Sequence, residues 1–87
     1  MEISVDISLY PLTEDYVEPI LAFIKGLEKN PKITVIKNQL STQIYGDYDD
    51  VMALISTEMK AVFEAMPHSA MVMKFIGNNR ADVEVDW

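Results

Sequence analysis

The sequence contains no cysteine, and this absence removes several kinds of chemistry at once. Without thiols the chain cannot form disulfides, hold a metal through thiolates or use a cysteine nucleophile. Stability must come from packing alone, in a chain of 87 residues of which 49% are hydrophobic. That length and composition fit one domain, residues 1–87, with a single two-layer core. Because so small a domain buries only about 60% of its unfolded surface, we expect a homodimer or higher homo-oligomer.

Histidine and glycine are also scarce. The single histidine, His68, stands beside Pro67, and one such side chain does not make a metal site. Its neighbour Ser69 is a poor partner for catalysis, because adjacent side chains do not easily point together and no nucleophile elbow is present. The three glycines are well separated and form no phosphate-binding loop. We therefore expect no catalytic residues, no metal, no cofactor and no enzymatic activity.

Basic residues are few: seven stand against fourteen acidic residues, for a net charge of -7. They form no cluster, so nucleic acid is not an expected partner. The acidic surface could attract a cationic ligand or could serve solubility alone. No apolar run approaches the roughly 18 residues that a membrane helix needs, and the N-terminal residues alternate in polarity, unlike a signal peptide. We expect a cytoplasmic protein without membrane insertion.

The first part of the chain predicts a strand followed by a helix. Residues Glu2–Tyr10 alternate strictly between apolar and polar side chains, which indicates a half-buried strand ended by Pro11. Residues 13–15 can cap a helix and place acidic groups in its first turn. The apolar stripe of this helix has helical spacing: Tyr16, Ile20, Phe23, Ile24 and Leu27. Because Pro19 lacks a backbone donor, the regular helix could begin near it.

A hairpin and a second helix are predicted next. Residues 33–36 and 40–45 are β-rich runs separated by a turn at residues 37–38, and Gly46 closes the second run. Asp47 is the expected N-cap of the second helix. Apolar residues recur at helical spacing over about four turns of that helix: Val51, Leu54, Ile55, Met59, Val62, Phe63 and Met66.

Residues 70–76 predict a fourth strand, and the alternating residues 82–87 could add a short fifth strand at the C-terminus. The order βαββαβ is that of an α+β ferredoxin-like sandwich, an antiparallel sheet with two helices on one face. Within that sheet we expect the first and third strands to lie side by side and parallel at the centre. Their pairing would place Ser8 and Tyr10 beside residues 40–47.

Polar side chains in the third strand need an explanation, because a central strand is ordinarily apolar. Thr42 would face the helices, where its hydroxyl could bond to a backbone carbonyl or to a ligand held between sheet and helices. The opposite face could be a solvated surface or an interface between two sheets. Asp47 could be a helix cap only, or a carboxylate partner for a cationic ligand. The residues expected on that opposite face are Ser4, Asp6, Ser8, Tyr10, Ser41, Gln43 and Tyr45.

Three segments carry a resemblance to a known family. They are residues 7–12 (ISLYPL), residues 38–49 (NQLSTQIYGDYD) and the Val51-Met52 pair that opens the second helix. Order and spacing agree along nearly the whole chain. In these segments the chain resembles the YkoF-like thiamine/hydroxymethylpyrimidine-binding family of ferredoxin-like proteins. The family's namesake carries two such domains in one chain, a pair that a homodimer of this chain could recreate.

The resemblance implies non-catalytic binding of thiamine or its hydroxymethylpyrimidine moiety, with a role in thiamine uptake, salvage or intracellular supply. An aminopyrimidine needs hydroxyl, amide and backbone partners together with apolar walls. The expected ligand-binding residues are Ser8, Tyr10, Asn38, Ser41, Thr42, Gln43 and Asp47. We expect the ligand on the helix side of the central strands and a second subunit on the other side. The alternative is a protein-interaction or regulatory module that uses the open sheet face without a small-molecule ligand.

Overall fold

The computed structural model describes residues 1–12, 14–15, 17–38 and 40–80. Its elements are β1 (Glu2–Tyr10), α1 (Val17–Leu27), β2 (Thr34–Lys37), β3 (Thr42–Asp47), α2 (Tyr48–Ala65) and β4 (Ala70–Ile76). The four strands form one antiparallel sheet in the order β2-β3-β1-β4. The predicted ferredoxin-like sandwich is therefore confirmed. The predicted fifth strand and the predicted places of Thr13 and Tyr16 in the first helix lie outside the described residues.

The two central strands, β1 and β3, run antiparallel, so the expected parallel pairing is wrong. The reason lies in the connections: α1 brings the chain back so that β2 runs parallel to β1, and the hairpin then reverses β3. The pairing runs from Glu2 opposite Asp47 to Ile7 opposite Thr42. Tyr10 therefore lies beyond the Thr42 end of the pair, while Asp47 lies at the other end.

Helix α1 begins at Val17, two residues before Pro19. Pro19 falls in the first turn, where a backbone N–H has no partner within the helix, so the proline ring removes no helical hydrogen bond. Of the predicted apolar stripe, Phe23 and Leu27 are buried. The helix thus presents one apolar face to the core, as its spacing predicts.

Helix α2 starts at a capped end, as predicted. Asp47 has extended backbone angles, and its carboxylate accepts a 3.2 Å hydrogen bond from the backbone N–H of Asp49. Phe63 remains 38% exposed at the edge of the stripe. The residues of the predicted stripe that are buried are Val51, Ile55, Val62 and Met66. None of the described helices is long and apolar enough to span a membrane.

One face of the sheet carries the hydrophobic core. Four side chains are no more than 1% exposed, one from each of β1, α1, β3 and α2: Val5, Leu27, Ile44 and Val51. Burial of each such side chain contributes about 1.5–3 kcal/mol. Both helices therefore pack on the same side of the sheet, and the opposite side is the open face.

The hairpin between β2 and β3 places β3 two residues later than predicted, at Thr42 rather than at residue 40. The backbone N–H of Asn38 donates a 3.0 Å hydrogen bond to the carbonyl of Ser41, which closes the turn. Leu40 projects from this turn and is 93% exposed. Gly46, which was expected to close the strand, lies inside it because β3 extends to Asp47.

Candidate functional site

The candidate site lies on the open face, where the two central strands bring polar side chains together. Because side chains alternate along a strand and register partners share a face, Asp6 of β1 and Gln43 of β3 lie opposite each other. Their neighbours Val5 and Ile44 form the adjacent pair on the core face. The same alternation of side chains along β1 and β3 places apolar residues in the core and sets a carboxylate beside an amide on the open face.

Four side chains form a hydrogen-bonded group that we call the Asp6 cluster: Asp6, Asn38, Ser41 and Gln43. The Gln43 amide donates to Asp6 Oδ1 at 2.6 Å and to the Ser41 hydroxyl oxygen at 2.7 Å. That hydroxyl donates to Asp6 Oδ1 at 2.8 Å. The side-chain amide of Asn38 donates to the Gln43 oxygen. These bonds fix the orientation of the Gln43 amide, and no described residue bonds to Asp6 Oδ2.

The same contacts control the charge of Asp6. The hydrogen bond from Gln43 is the largest influence that lowers the pKa of Asp6 below its ordinary value of 3.8. The Ser41 hydroxyl and the positive charge of Lys74 act in the same direction, while burial of the carboxyl opposes them. Asp6 is therefore an ionised hydrogen-bond acceptor at neutral pH.

A cleft of about 270 Å³ adjoins the Asp6 cluster, and we call it the open-face cleft. It is lined by Ser4, Val5, Asp6, Gln43, Tyr45, Lys74, Ile76 and Arg80. Residues 78–80, which follow β4, are held at this cleft by Ser4. The Ser4 hydroxyl donates to the Asn78 carbonyl at 2.6 Å and accepts from the Arg80 backbone N–H at 2.8 Å. The cleft combines a carboxylate, an amide, an aromatic ring and two cationic side chains.

The structure brings three of the residues predicted to bind ligand into one group, since Asn38, Ser41 and Gln43 all belong to the Asp6 cluster. Ser8 lies on the same face of β1 as Asp6 and is half-buried. Tyr10, the last residue of β1, is 54% exposed. These two residues extend the open face towards the Thr42 end of the sheet.

Thr42 and Asp47, the other two predicted residues, lie apart from the cluster. Thr42 is half-buried on the helix side, opposite Ile7, which is only 2% exposed. Asp47 caps α2 at the opposite end of β3. At about 3.3 Å per strand residue, its register partner Glu2 lies about 13 Å along β1 from Asp6. The predicted set therefore divides between two faces and two ends of the sheet.

The sequence pattern places Asp6 on the open face but predicts no binding role for it, although Asp6 is the centre of the cluster. The signal was available in the alternation of β1, which places a lone carboxylate between Ser4 and Ser8. Its partner could be recognised only with β1 and β3 antiparallel, because that register sets Asp6 opposite Gln43.

The groups at this site can form hydrogen bonds and ion pairs with a ligand. Within residues 1–12, 14–15, 17–38 and 40–80, no three His, Cys, Asp or Glu side chains are grouped so as to hold a metal ion. Asp6 accepts hydrogen bonds, the Gln43 amide both donates and accepts, and Tyr45 offers a ring surface beside them. Such a set suits a flat heterocycle that carries an amino group.

One protein-family match covers nearly all of the chain: the model of the YKOF-related Family matches residues 2–80. The chain belongs to this family. The match confirms the resemblance carried by the three sequence segments. No curated protein matches this YKOF-related chain.

Solved structures similar to this YKOF-related protein share its fold. Protein SP2199 from Streptococcus pneumoniae has a TM-score of 0.82 at 15% identity, over 95% of this chain and 93% of that protein. The protein TM0486 from Thermotoga maritima, named for a suggested role in thiamine biosynthesis or salvage, has a TM-score of 0.75 at 14% identity, over 86% and 82%. A designed protein with a ferredoxin fold has a TM-score of 0.53 at 14% identity, over 100% and 91%.

Proposed function

We propose that this YKOF-related protein binds thiamine or its hydroxymethylpyrimidine moiety in the open-face cleft, without altering it covalently. The observation that carries the proposal is the Asp6 cluster, an oriented amide and an ionised carboxylate beside a cleft of about 270 Å³. Family membership and the role suggested for the Thermotoga maritima protein support the choice of ligand. The physiological role we propose is thiamine uptake, salvage or intracellular supply in the cytoplasm.

The aminopyrimidine ring matches the hydrogen-bonding groups of the cluster. Its amino group donates, and the Gln43 side-chain oxygen can accept from it through its second lone pair, while both amide protons of Gln43 stay on Asp6 and Ser41. Asp6 Oδ2 can accept from the same amino group. Tyr45 lines the cleft and can stack on the ring. The hydrogen bonds and the stacking contact thus both use side chains that the sheet already holds in place.

A second copy of the chain would complete such a site. The open face carries apolar side chains that remain accessible in the single chain, with Ile36 37%, Val72 59% and Ile76 38% exposed. We propose that a homodimer or higher homo-oligomer covers them and shields the hydrogen bonds in the cleft from water. Light scattering coupled to size-exclusion chromatography measures the state directly: a monomer at all concentrations would refute this part of the proposal.

The alternative function is a protein-interaction or regulatory module that binds another chain on the same face. The exposed apolar side chains favour it, because they suit a protein surface as well as a second copy. Recovery of a stoichiometric partner that competes with no small molecule would support this alternative. Competition between thiamine and such a partner would support the ligand-binding function.

Calorimetric titration with thiamine and with hydroxymethylpyrimidine tests the proposal. Gln43→Leu should weaken binding at least about tenfold, the effect of losing one hydrogen bond to a buried polar group. Thr42→Val changes the neighbouring residue on the opposite face, and Thr57→Val, at an exposed position of α2, is its matched control.

Weaker binding in Thr42→Val, with Gln43→Leu unchanged, would move the ligand to the space between sheet and helices that the sequence predicted. If wild-type protein gives neither heat nor a thermal shift with either compound at millimolar concentration, the proposed ligand is wrong.

A further inference from the structure

Two cationic side chains line the open-face cleft although the chain has a net charge of -7. They are Lys74 of β4 and Arg80, which follows β4. Within the described part of the chain neither forms an ion pair, and Lys74 acts on Asp6 only through its charge. Lys74 lies opposite Asp6 on the neighbouring strand, and attraction between these opposite charges explains the presence of a lysine at this position. Arg80 follows β4 and has no such cross-strand partner among the described residues, so its position at the cleft needs another explanation.

Arg80 is fixed at the cleft by its backbone. Its N–H donates to the Ser4 hydroxyl at 2.8 Å, and Ser4 is only 5% exposed. The same hydroxyl donates to the Asn78 carbonyl at 2.6 Å, so residues 78–80 are tied to the centre of the sheet at two points. The backbone of Arg80, from which its side chain extends, is therefore held beside the cleft.

We propose that the open-face cleft binds its aminopyrimidine as a phosphomonoester, with the phosphate held by Lys74 and Arg80. The inference rests on the proposed function and names the form of the ligand. A guanidinium can bond two phosphate oxygens at once, and a lysine ammonium adds a point charge. The amino group of the ligand then lies at Asp6 and Gln43, and its phosphate lies on the β4 side of the cleft.

The spacing of the protein groups favours one kind of ester. Asp6 and Lys74 are register partners, so their Cα atoms lie about 4.5–5.5 Å apart. A ligand whose amino group and phosphate are close together can contact both of these side chains within the cleft. Hydroxymethylpyrimidine phosphate has this property, because its amino group and its phosphate-bearing methylene are on neighbouring ring atoms. In thiamine monophosphate the thiazolium ring separates them.

Calorimetry with four compounds tests this inference: hydroxymethylpyrimidine, its phosphate, thiamine and thiamine monophosphate. The phosphate of hydroxymethylpyrimidine should bind at least about tenfold more tightly than the free alcohol, the factor supplied by one charge-assisted hydrogen bond. Thiamine monophosphate should gain less over thiamine. Lys74→Gln and Arg80→Gln should each reduce the ratio of the Kd of hydroxymethylpyrimidine to the Kd of its phosphate. Lys60→Gln, the same charge change on α2, should keep the ratio, and circular dichroism checks that each variant is folded.

The outcomes separate the two proposals. Equal binding of the alcohol and its phosphate would overturn the phosphate inference and leave the proposed function standing. A ratio that survives both cleft substitutions would also overturn it, as would inorganic phosphate that competes as well as the ester. Failure of all four compounds to bind would refute the proposed function and this inference together.

Discussion

The side-chain amide of Gln43 donates a 2.6 Å hydrogen bond to the carboxylate of Asp6, across the two central strands of the sheet. The bond lies on the face that carries no helix, where a solvated polar surface would have been sufficient for solubility. A charged acceptor instead meets an amide whose other atoms are held by Ser41 and Asn38. The face therefore carries an ordered group of hydrogen-bonded side chains, and the proposed binding function depends on this group.

Asp6→Asn should lower the free energy of unfolding by about 1 kcal/mol at neutral pH, because the substitution removes a charge-assisted acceptor at a half-exposed site. The pKa of Asp6 is lowered in the fold, so its contribution is fully present above its ordinary value of 3.8. It is lost as the pH falls through the lower value of the folded state. Urea denaturation from pH 7 to pH 2 measures both effects.

Gln43→Leu gives an independent check on the same carboxylate. Loss of the amide donor should bring the pKa of Asp6 back towards its ordinary value and flatten the acid part of the stability profile. The double variant should lose less than the sum of the two single losses. Additive losses would show that the two side chains act separately.

Gly26→Ala should destabilise the contact between the two helices by about 1 kcal/mol. An alanine Cβ at this position would overlap the carboxylate of Glu58, which is 5% exposed and lies 3.5 Å from the Lys29 amine. With Glu58→Ala in the background, the overlap is gone and alanine should stabilise α1 by about 0.5–1 kcal/mol through its helix propensity. Thermal unfolding of the four proteins shows whether the sign reverses.

The matched control for that cycle is Gly77→Ala, because a Cβ at Gly77 meets no atom within 4 Å. It should change stability by the same small amount with or without Glu58. A loss at Gly26 that persists in the Glu58→Ala background would contradict the proposed overlap.

Asp47→Ala should cost about 1 kcal/mol of stability, because it removes the side-chain cap of α2. Asp47→Asn should retain most of the capping. Since Asp47 lies at the far end of the central strands from the Asp6 cluster, neither substitution should alter ligand affinity in calorimetry. A tenfold weaker affinity would instead favour the role as a carboxylate partner that the sequence left open.

Ser4→Ala should release the segment that follows β4. The Ser4 hydroxyl bonds to both the Asn78 carbonyl and the Arg80 N–H, so its loss leaves two backbone groups without their partner and should cost about 1–2 kcal/mol. Amide hydrogen exchange followed by NMR should show faster exchange at Arg80 and unchanged exchange at Ile44. Unchanged exchange at Arg80 would mean that other contacts hold the segment.

The sequence predicts much of the fold because local signals agree with the packing. Strand β4 has the predicted bounds, and Asp47 caps α2 as its residue type and position indicate. Strand β3 is displaced because Leu40, apolar and next to a polar run, looks like part of a strand but projects from the hairpin turn. Hydrophobicity alone could not separate a turn residue from a strand residue there.

The candidate site was harder to predict because it depends on pairing between distant strands. With β1 and β3 taken as parallel, Tyr10 would approach Asp47, and Asp6 would have no assigned partner. The antiparallel register sets Asp6 against Gln43 and separates Tyr10 from Asp47. Strand direction follows from the complete path of the chain through both helices, so no local pattern around Asp6 reveals its neighbour.

The central place of β1 has a consequence for how the protein folds. This first strand is bonded on both sides, to β3 and to β4, so its two ladders join segments far apart along the chain. Closing such long loops costs entropy before the contacts are made, which slows folding relative to a helical bundle of the same size. During synthesis one edge of β1 can pair only after β3 has emerged from the ribosome, and the other edge stays unpaired until β4 has emerged. The charged and hydroxyl side chains at alternate positions of β1 help to prevent aggregation of the unpaired strand.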